Sequence, residues 1–350
     1  MFKFKRFTST LVLSSLSLSL LLFANTSFAT ENADNNNSSH YIVSDLDDHI
    51  NPLKGTKNEE GTWKDNPIIA VMLDNHPDAL PQAGLSQADL VYEERVEGSY
   101  TRLMAIFNSE RPSLIGPIRS TRLNFLQRMF ELEGIITRVG GSYEADNYIA
   151  ENSVKQIDGS SVGSDVMWRY NDTGKFAPHN MYASYESLSN YAKSIYEQGL
   201  SESPFKFNEQ VDYGDLGTVS ANNISLSYGG DNNVEYTYDS EKDAYLRANN
   251  GIRTIDENNS EQVEIKNLIV QFADSEVYDD NGHQRVHQIG EGKAYLFNAG
   301  KVIELKWSKE HSYAKTVFTL ASTGEELELK PGLTWINVIE EGTAGTSFFN

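Results

Sequence analysis

The sequence predicts an α/β or α+β N-terminal domain followed by a β-rich C-terminal domain, and three observations carry that expectation. Between residues 68 and 198 apolar runs of strand length alternate with segments of helical period, whereas from about Asp215 onward only short alternating runs separated by turn residues remain. The chain has no cysteine, so disulfides, thiol nucleophiles and thiolate metal sites are excluded and ordinary hydrophobic cores must hold both parts. A length of 350 residues permits this, since domains of about 100–150 residues bury roughly two thirds of their surface. The implied organisation is a signal peptide at 1–29, a flexible tether at 30–64, an α/β domain at 65–212 and a β-rich domain at 213–350.

Each element follows from local pattern. Lys3, Lys5 and Arg6 precede an apolar run rich in Leu and Ser, which ends at Ser27-Phe28-Ala29. This is the plan of a secretory leader cut after Ala29, and its run is shorter than the roughly 20 apolar residues of a spanning helix. A secreted, extracellular or cell-wall-associated protein with no transmembrane segment in its mature form is expected. A lipid anchor is not, because that processing needs a cysteine. Residues 30–64 are rich in Asn, Asp, Glu, Ser, Gly and Lys and read as a tether. Strands are expected at 68–73, 90–92, 103–107, 114–118 and 135–139. Leu123, Leu126 and Phe130 give a helical stripe, and 185–198 gives another. Beyond 215, nine runs from ISLSY to TWINVI read as strands without a helix, with a hairpin turn expected at Asn298-Ala299-Gly300.

Charge narrows the partners. The chain carries 29 Lys and Arg against 50 Asp and Glu; without residues 1–29 the balance is 26 against 50, a net of −24. Such a field opposes nucleic acid, whose binding rests on basic side chains replacing condensed cations. A local arginine cluster still holds an anion, because the Debye length at physiological salt is only about 8 Å.

The densest pattern lies between Ile68 and Arg122. The run IIAVML stops at Asp74-Asn75, and then follow Pro81-Gln82-Ala83-Gly84-Leu85, Ala88-Asp89-Leu90-Val91-Tyr92-Glu93, Glu97-Gly98, Thr101-Arg102 and Gly116-Pro117-Ile118-Arg119-Ser120-Thr121-Arg122. On these residues the chain resembles the YerB-like family of Gram-positive envelope proteins, a two-domain family of unknown function. Pro178-His179-Asn180-Met181-Tyr182 matches an APHN-type segment of that family, and GEGKAYLF and KPGLTWINV match its C-terminal domain. The lack of cysteine departs from the lipidated members. The order Asp74, then Gly98-Ser99-Tyr100-Thr101-Arg102, then Pro117-Ile118-Arg119-Ser120-Thr121 also looks like blocks of the LytR-CpsA-Psr phosphotransferases, which move glycopolymers from a polyprenyl pyrophosphate to peptidoglycan. In this chain the second block lacks the Asp of that pattern, and Ser120 replaces the Asp of the third.

The residues that carry chemistry stand at element ends. Arg119-Ser120-Thr121-Arg122 joins a strand-like segment to a helix expected to begin near Thr121, with Ser120 as its N-cap. Two arginines and backbone donors at a helix start make an anion pocket, and Val139-Gly140-Gly141-Ser142 repeats that junction. The alternative is that the arginines pair with Glu93, Glu94, Glu97 or Glu131. Asp74, Glu93 and Glu97 are candidates for a divalent cation, or else Asp74-Asn75 closes a turn and the glutamates balance the arginines. Asp74 and His179 are the catalytic candidates, His179 as base or phosphate ligand. The expected ligand-binding set is Asp74, Asn75, Glu93, Glu97, Arg102, Arg119, Ser120, Arg122, Ser142, His179 and Asn180. No dedicated metal site is expected, His283 and His287 included, and Trp307 and Trp335 are expected mainly in the core. P-loop, GxSxG and HExxH motifs are absent.

Two functions remain. The first is an envelope-associated protein that binds an anionic ligand, a cell-wall component or an envelope protein through Asp74, Arg102, Arg119 and Arg122. The second is an enzyme of the phosphotransferase kind acting on a polyprenyl-pyrophosphate-linked glycan.

Overall fold

The structure is a computed structural model and describes residues 47–58, 63–197, 199–200, 202–217 and 219–341. The expected leader, and the expected tether up to residue 46, lie outside the described residues.

Strands β1 (Ile69–Asp74), β2 (Leu90–Glu97), β3 (Tyr100–Phe107), β4 (Ile135–Arg138) and β5 (Gln156–Asp158) come from the N-terminal half, with helices α1 (Leu123–Leu132), α2 (Tyr143–Asn152) and α3 (Tyr185–Ile195). The C-terminal half supplies β6 (Asn223–Ser227), β7 (Asn233–Asp239), β8 (Ala244–Asn249), β9 (Asn267–Phe272), β10 (Gly290–Asn298), β11 (Lys301–Lys309), β12 (Val317–Leu320) and β13 (Thr334–Ile339). Among its described residues the only helical turn is the short 3-10 segment Gly214–Gly217. The division into a mixed half and a strand-rich half is therefore as the sequence patterns indicate.

The two halves share one mixed sheet, in the order β12-β11-β10-β9-β13-β2-β3-β1-β4-β5, with Val219–Ser220 added beside β11. The last strand, β13, sits between β9 and β2 and runs parallel to both. β1, β9 and β13 are buried along their whole length, which is why their sequences are apolar without alternation. Ile69, Val71, Leu73, Leu103, Phe107 and Trp335 face α3 and a second, antiparallel sheet built around β6, β7 and β8. Ala70, Met72, Met104, Ile106, Ile336 and Val338 face α1 and α2. Trp335 and Trp307 are both buried, as expected.

Local chemistry sets the ends. Ser142 caps α2 by accepting the Ala145 N–H at 3.3 Å, and Ser184 with Ser187 forms a reciprocal box at the start of α3. β10 and β11 are joined by Ala299-Gly300, both at positive φ, with Asn298 paired to Lys301, so the expected hairpin is a two-residue turn.

Several expectations need correction. The segment 114–118 forms only isolated bridges, Ile115 to Ala183, Ala83 to Gly116 and Leu73 to Ile118. The N-cap of α1 is Arg122 rather than Ser120, and its buried apolar stripe is Phe125, Leu126, Met129 and Leu132. Leu123 and Phe130 lie at the margins because a second, polar buried face of α1, formed by Asn124, Arg128 and Glu131, turns the helix. The tether reading fails at residues 51–58, while residues 59–62 lie outside the described residues. Leu53 is fully buried, Asn51 donates to Asn108 Oδ1 at 2.8 Å, and Lys54 O accepts the Gly332 N–H at 2.8 Å. A polar stretch with a single apolar anchor carries no local signal for partners 57 and 278 residues away.

Charged side chains also build the interior. Glu93 is fully buried and takes Arg247 Nη2 at 2.8 and 3.0 Å on its two oxygens, with Trp335 Nε1 at 3.3 Å. Glu94, on the other face, takes Asn124 Nδ2 at 2.5 Å and Arg128 Nε at 3.3 Å. Burial raises the pKa of Glu94, and Arg128 and Asn124 oppose that rise.

Two outcomes follow. Leu53→Ala should cost about 2–5 kcal/mol, the range for emptying a buried leucine site, read from denaturant unfolding. Arg247→Ala should cost about 3–5 kcal/mol because it leaves Glu93 buried without its counter-charge; a change under about 1 kcal/mol would mean that the pair adds little net stability.

Candidate functional site

The crevice forms where the parallel strands end. β1 finishes at Asp74, its parallel neighbour β4 at Arg138 and β5 at Asp158; Arg138 pairs with Asp158, and Asp74 extends two residues past their level, so three adjacent strands each end on a charged residue. The segment 117–122 is stitched across these ends. Asp74 N–H donates to Pro117 O at 2.9 Å, Arg119 N–H to Met72 O at 2.8 Å, Val139 N–H to Arg119 O at 3.1 Å and Thr121 N–H to Gly140 O at 3.1 Å. Gly140 turns the chain at φ +72, a conformation open to glycine, and its own N–H donates to Asp158 Oδ1 at 3.3 Å. Antiparallel β3 adds Arg102 directly opposite Asp74, and the end of β2 adds Glu97.

Backbone placement thus collects Arg102, Arg119 and Arg122 around Asp74 and Glu97. Arg122 pairs with Glu97 through Nε, at 2.7 Å, and through Nη2. Arg102 Nη2 lies 3.6 Å from the other Glu97 oxygen, and its Nη1 donates to Ser120 O at 2.8 Å. Arg119 Nε lies 3.0 Å from Asp74 Oδ2, yet its N–H is not aligned on that oxygen, so the attraction is Coulombic without a formed hydrogen bond. No described residue accepts a hydrogen bond from the terminal nitrogens of Arg119, whose side chain is 28 % exposed. Burial, then the neighbouring Arg122 and Arg119 charges, push the Arg102 guanidinium down to about 10, against the opposing pull of Glu97 and Asp74. The helix behind, α1, opens with no side-chain cap and no acidic residue in its first turn.

Asp74 also holds His179, whose Nδ1 is 2.8 Å from Oδ2. The His179 ring stacks on His76 at 4.7 Å between centroids, and His76 stacks on Tyr100 at 5.5 Å. Tyr100 is half-exposed, so this stack forms one wall of the crevice.

The remaining expected residues take supporting places. Asn75 Nδ2 donates to Thr101 Oγ1 at 2.8 Å and to Glu93 Oε1 at 3.3 Å, linking the crevice floor to the buried Glu93 pair. Glu93 itself lies inside the protein. Ser120 contributes its carbonyl, and Ser142 caps the neighbouring helix. Asn180 is buried, accepts Arg169 Nη1 at 2.9 Å and donates to Asn171, which fixes the turn that carries His179. His283 and His287 are separated by the strand Gln284–Val286. His283 reaches the crevice, 3.4 Å from Glu97 and 2.6 Å from Asp279, whereas His287 points to Glu276 at 4.0 Å. No local pattern marks His283, since its partner Glu97 is 186 residues away. The stacked pair of His76 and Tyr100 likewise has no signal in sequence.

Fold and site together define an α+β protein with a cationic crevice at the strand ends of a sheet shared by two halves. The chain belongs to the family described as protein of unknown function DUF3048. Its N-terminal domain matches residues 53–198 and its C-terminal domain residues 224–336. "Putative lipoprotein YerB" of Bacillus subtilis (strain 168) is 32 % identical over 303 residues, covering 83 % of this chain and 86 % of that protein. The crystal structure of YerB from Bacillus subtilis matches with a TM-score of 0.73 at 30 % identity, over 83 % of this chain and 96 % of that one.

A buried cation beside two like charges is a cost the fold carries for the site. Arg102→Met should therefore leave the unfolding free energy within about 1 kcal/mol of wild type or raise it, measured by denaturant titration. A clear loss would show that the Ser120 and Glu97 contacts dominate.

Proposed function

We propose that this protein is an envelope-associated binding protein whose crevice holds an anionic group, phosphate or carboxylate, of a cell-wall component or envelope partner. One observation carries the reading: three guanidinium groups converge on two carboxylates, and the partly exposed Arg119 has no described hydrogen-bond acceptor for its terminal nitrogens. A bound anion would relieve the mutual repulsion of Arg102, Arg119 and Arg122 and complete hydrogen bonds that the protein leaves open. The compartment is supported by the leader-like first 29 residues, the acidic balance, which is no hindrance outside the cell, and the lipoprotein name of the Bacillus subtilis relative. Among the described residues no helix is long and apolar enough to cross a membrane.

A second reading has its own support. Asp74 and His179 in contact at 2.8 Å beside Arg119 provide a general-base pair next to a phosphate site, the minimum for a phosphotransferase acting on a polyprenyl-pyrophosphate-linked glycan.

The test is thermal unfolding with inorganic pyrophosphate and with carboxylate-bearing muropeptides. A ligand at 100 times its dissociation constant adds about 2.7 kcal/mol, a rise of a few degrees for a chain of this size. Arg119→Ala should lose that rise while its own unfolding midpoint stays near wild type, because Arg119 is partly exposed. No rise with any of these anions, or one that survives Arg119→Ala, would remove the crevice as the anion site. Turnover of a polyprenyl-pyrophosphate glycan lost in His179→Ala would move the assignment to the second reading.

A further inference from the structure

We infer that His76, Asp78 and His179 form a binding site for a divalent cation of the zinc class, with Asp74 as the carboxylate that orients His179. One ligand atom from each of the three residues lies within 4.8 Å of the others. The site stands on two short turns. His76 opens the 3-10 segment Pro77–Ala79, which carries Asp78, and His179 closes the turn in which its N–H donates to Phe176 O at 2.7 Å.

The geometry selects the atoms. His179 Nδ1 faces Asp74 Oδ2 at 2.8 Å; a proton on Nδ1 donated to that carboxylate makes Nε2 the nitrogen that offers its lone pair to an ion. That is the carboxylate–histidine–metal arrangement in which an outer carboxylate sets tautomer and ring angle. His76 Nδ1 and Asp78 Oδ2 are 3.6 Å apart, close to the spacing of about 3.4 Å between ligand atoms around a tetrahedral ion with bonds of about 2.0–2.2 Å. His76 Nδ1 now accepts the Asp78 N–H at 3.2 Å, a long bond at an exposed turn, and that N–H turns to water when the ion takes the lone pair. The movement still required falls on His76, which must turn out of its near-parallel stack on His179 so that both in-plane lone pairs meet the ion, and on the largely exposed Asp78, while Asp74 holds His179 in place.

Donor chemistry selects the class. Two imidazoles and one carboxylate suit zinc and its neighbours, whereas magnesium and calcium prefer all-oxygen shells. Three protein ligands leave a fourth position for water or an anion. Asp74 stands between this position and Arg119, so one carboxylate screens the ion from the guanidinium. The site stands without the anion reading, because none of its three ligands is an arginine of the crevice.

The test is calorimetric titration of the metal-free purified protein with Zn²⁺ in a buffer without phosphate, repeated with Co²⁺ to read coordination from the visible spectrum. One ion per chain is expected, with a tetrahedral-type cobalt spectrum. His76→Ala and His179→Ala should each weaken binding at least tenfold and abolish that spectrum, and Asp74→Asn should weaken it by about 10–100-fold, the usual effect of removing an outer-shell partner. Arg119→Ala and His283→Ala should retain it, which separates this inference from the anion site. Circular dichroism of each variant checks that it is folded. Absence of Zn²⁺ uptake by the wild-type protein would overturn the inference, and so would uptake unchanged in the His76→Ala, His179→Ala double variant.

Discussion

Two consecutive glutamates in the middle of the sheet tie its layers together. Side chains alternate along a strand, so Glu93 and Glu94 on β2 project to opposite faces. Glu93 meets Arg247 from the second sheet, and Glu94 meets Arg128 from α1. Each pair is buried, and each carboxylate has additional donors, Trp335 and Thr101 on one face and Asn124 and Gln288 on the other. A buried charge is tolerated only with such complete pairing, so the two arginines fix where their layers dock. β13, threaded between β2 and β9, locks the same strand from its edge, and its Trp335 and Asn337 reach the Glu93 cluster through hydrogen bonds with Glu93 and Tyr228. An early strand, β2, and the last strand, β13, thus form around one shared feature.

The crevice uses the same residue types with a different balance. Inside, carboxylates surround the guanidinium group: Arg128 has both Glu94 and Glu131. At the crevice the ratio reverses, three arginines to two carboxylates, and Arg102 is held below its ordinary pKa by burial and its like-charged neighbours. The local excess of positive charge persists in a strongly acidic protein because salt screens the charges that lie beyond about 8 Å. The backbone makes it durable: Arg119 and Arg122 lie on a segment bonded on one side to β1 and on the other to the end of β4, so little ordering remains to be done when a ligand arrives.

The stack of Tyr100, His76 and His179 extends this edge. Asp74 serves both parts, drawing Arg119 from one side and orienting His179 from the other. A single carboxylate at the end of a buried strand therefore joins a cationic pocket to a pair of histidines, and its fixed position at the β1 terminus sets the distance between them.

Much of this was legible from the chain. Uninterrupted apolar runs gave the buried strands, the Ala299-Gly300 turn was readable as a hairpin, and Asp74, Arg102, Arg119 and Arg122 stood out as charged residues bordering apolar segments. These follow from local rules of period, turn chemistry and strand termination. What the sequence left open depended on partners far along the chain. Asn51 and Leu53 looked like tether because their contacts lie at Asn108 and beyond; Glu93 looked like a crevice ligand until Arg247, 154 residues later, claimed it; His283 reached Glu97 across 186 residues. The sequence by itself determined which segments could be strands and where charge would gather, because those are one-dimensional properties of spacing. Only the tertiary structure decided which charges are neutralised inside and which remain open at the crevice, because ion pairing is settled by proximity in three dimensions.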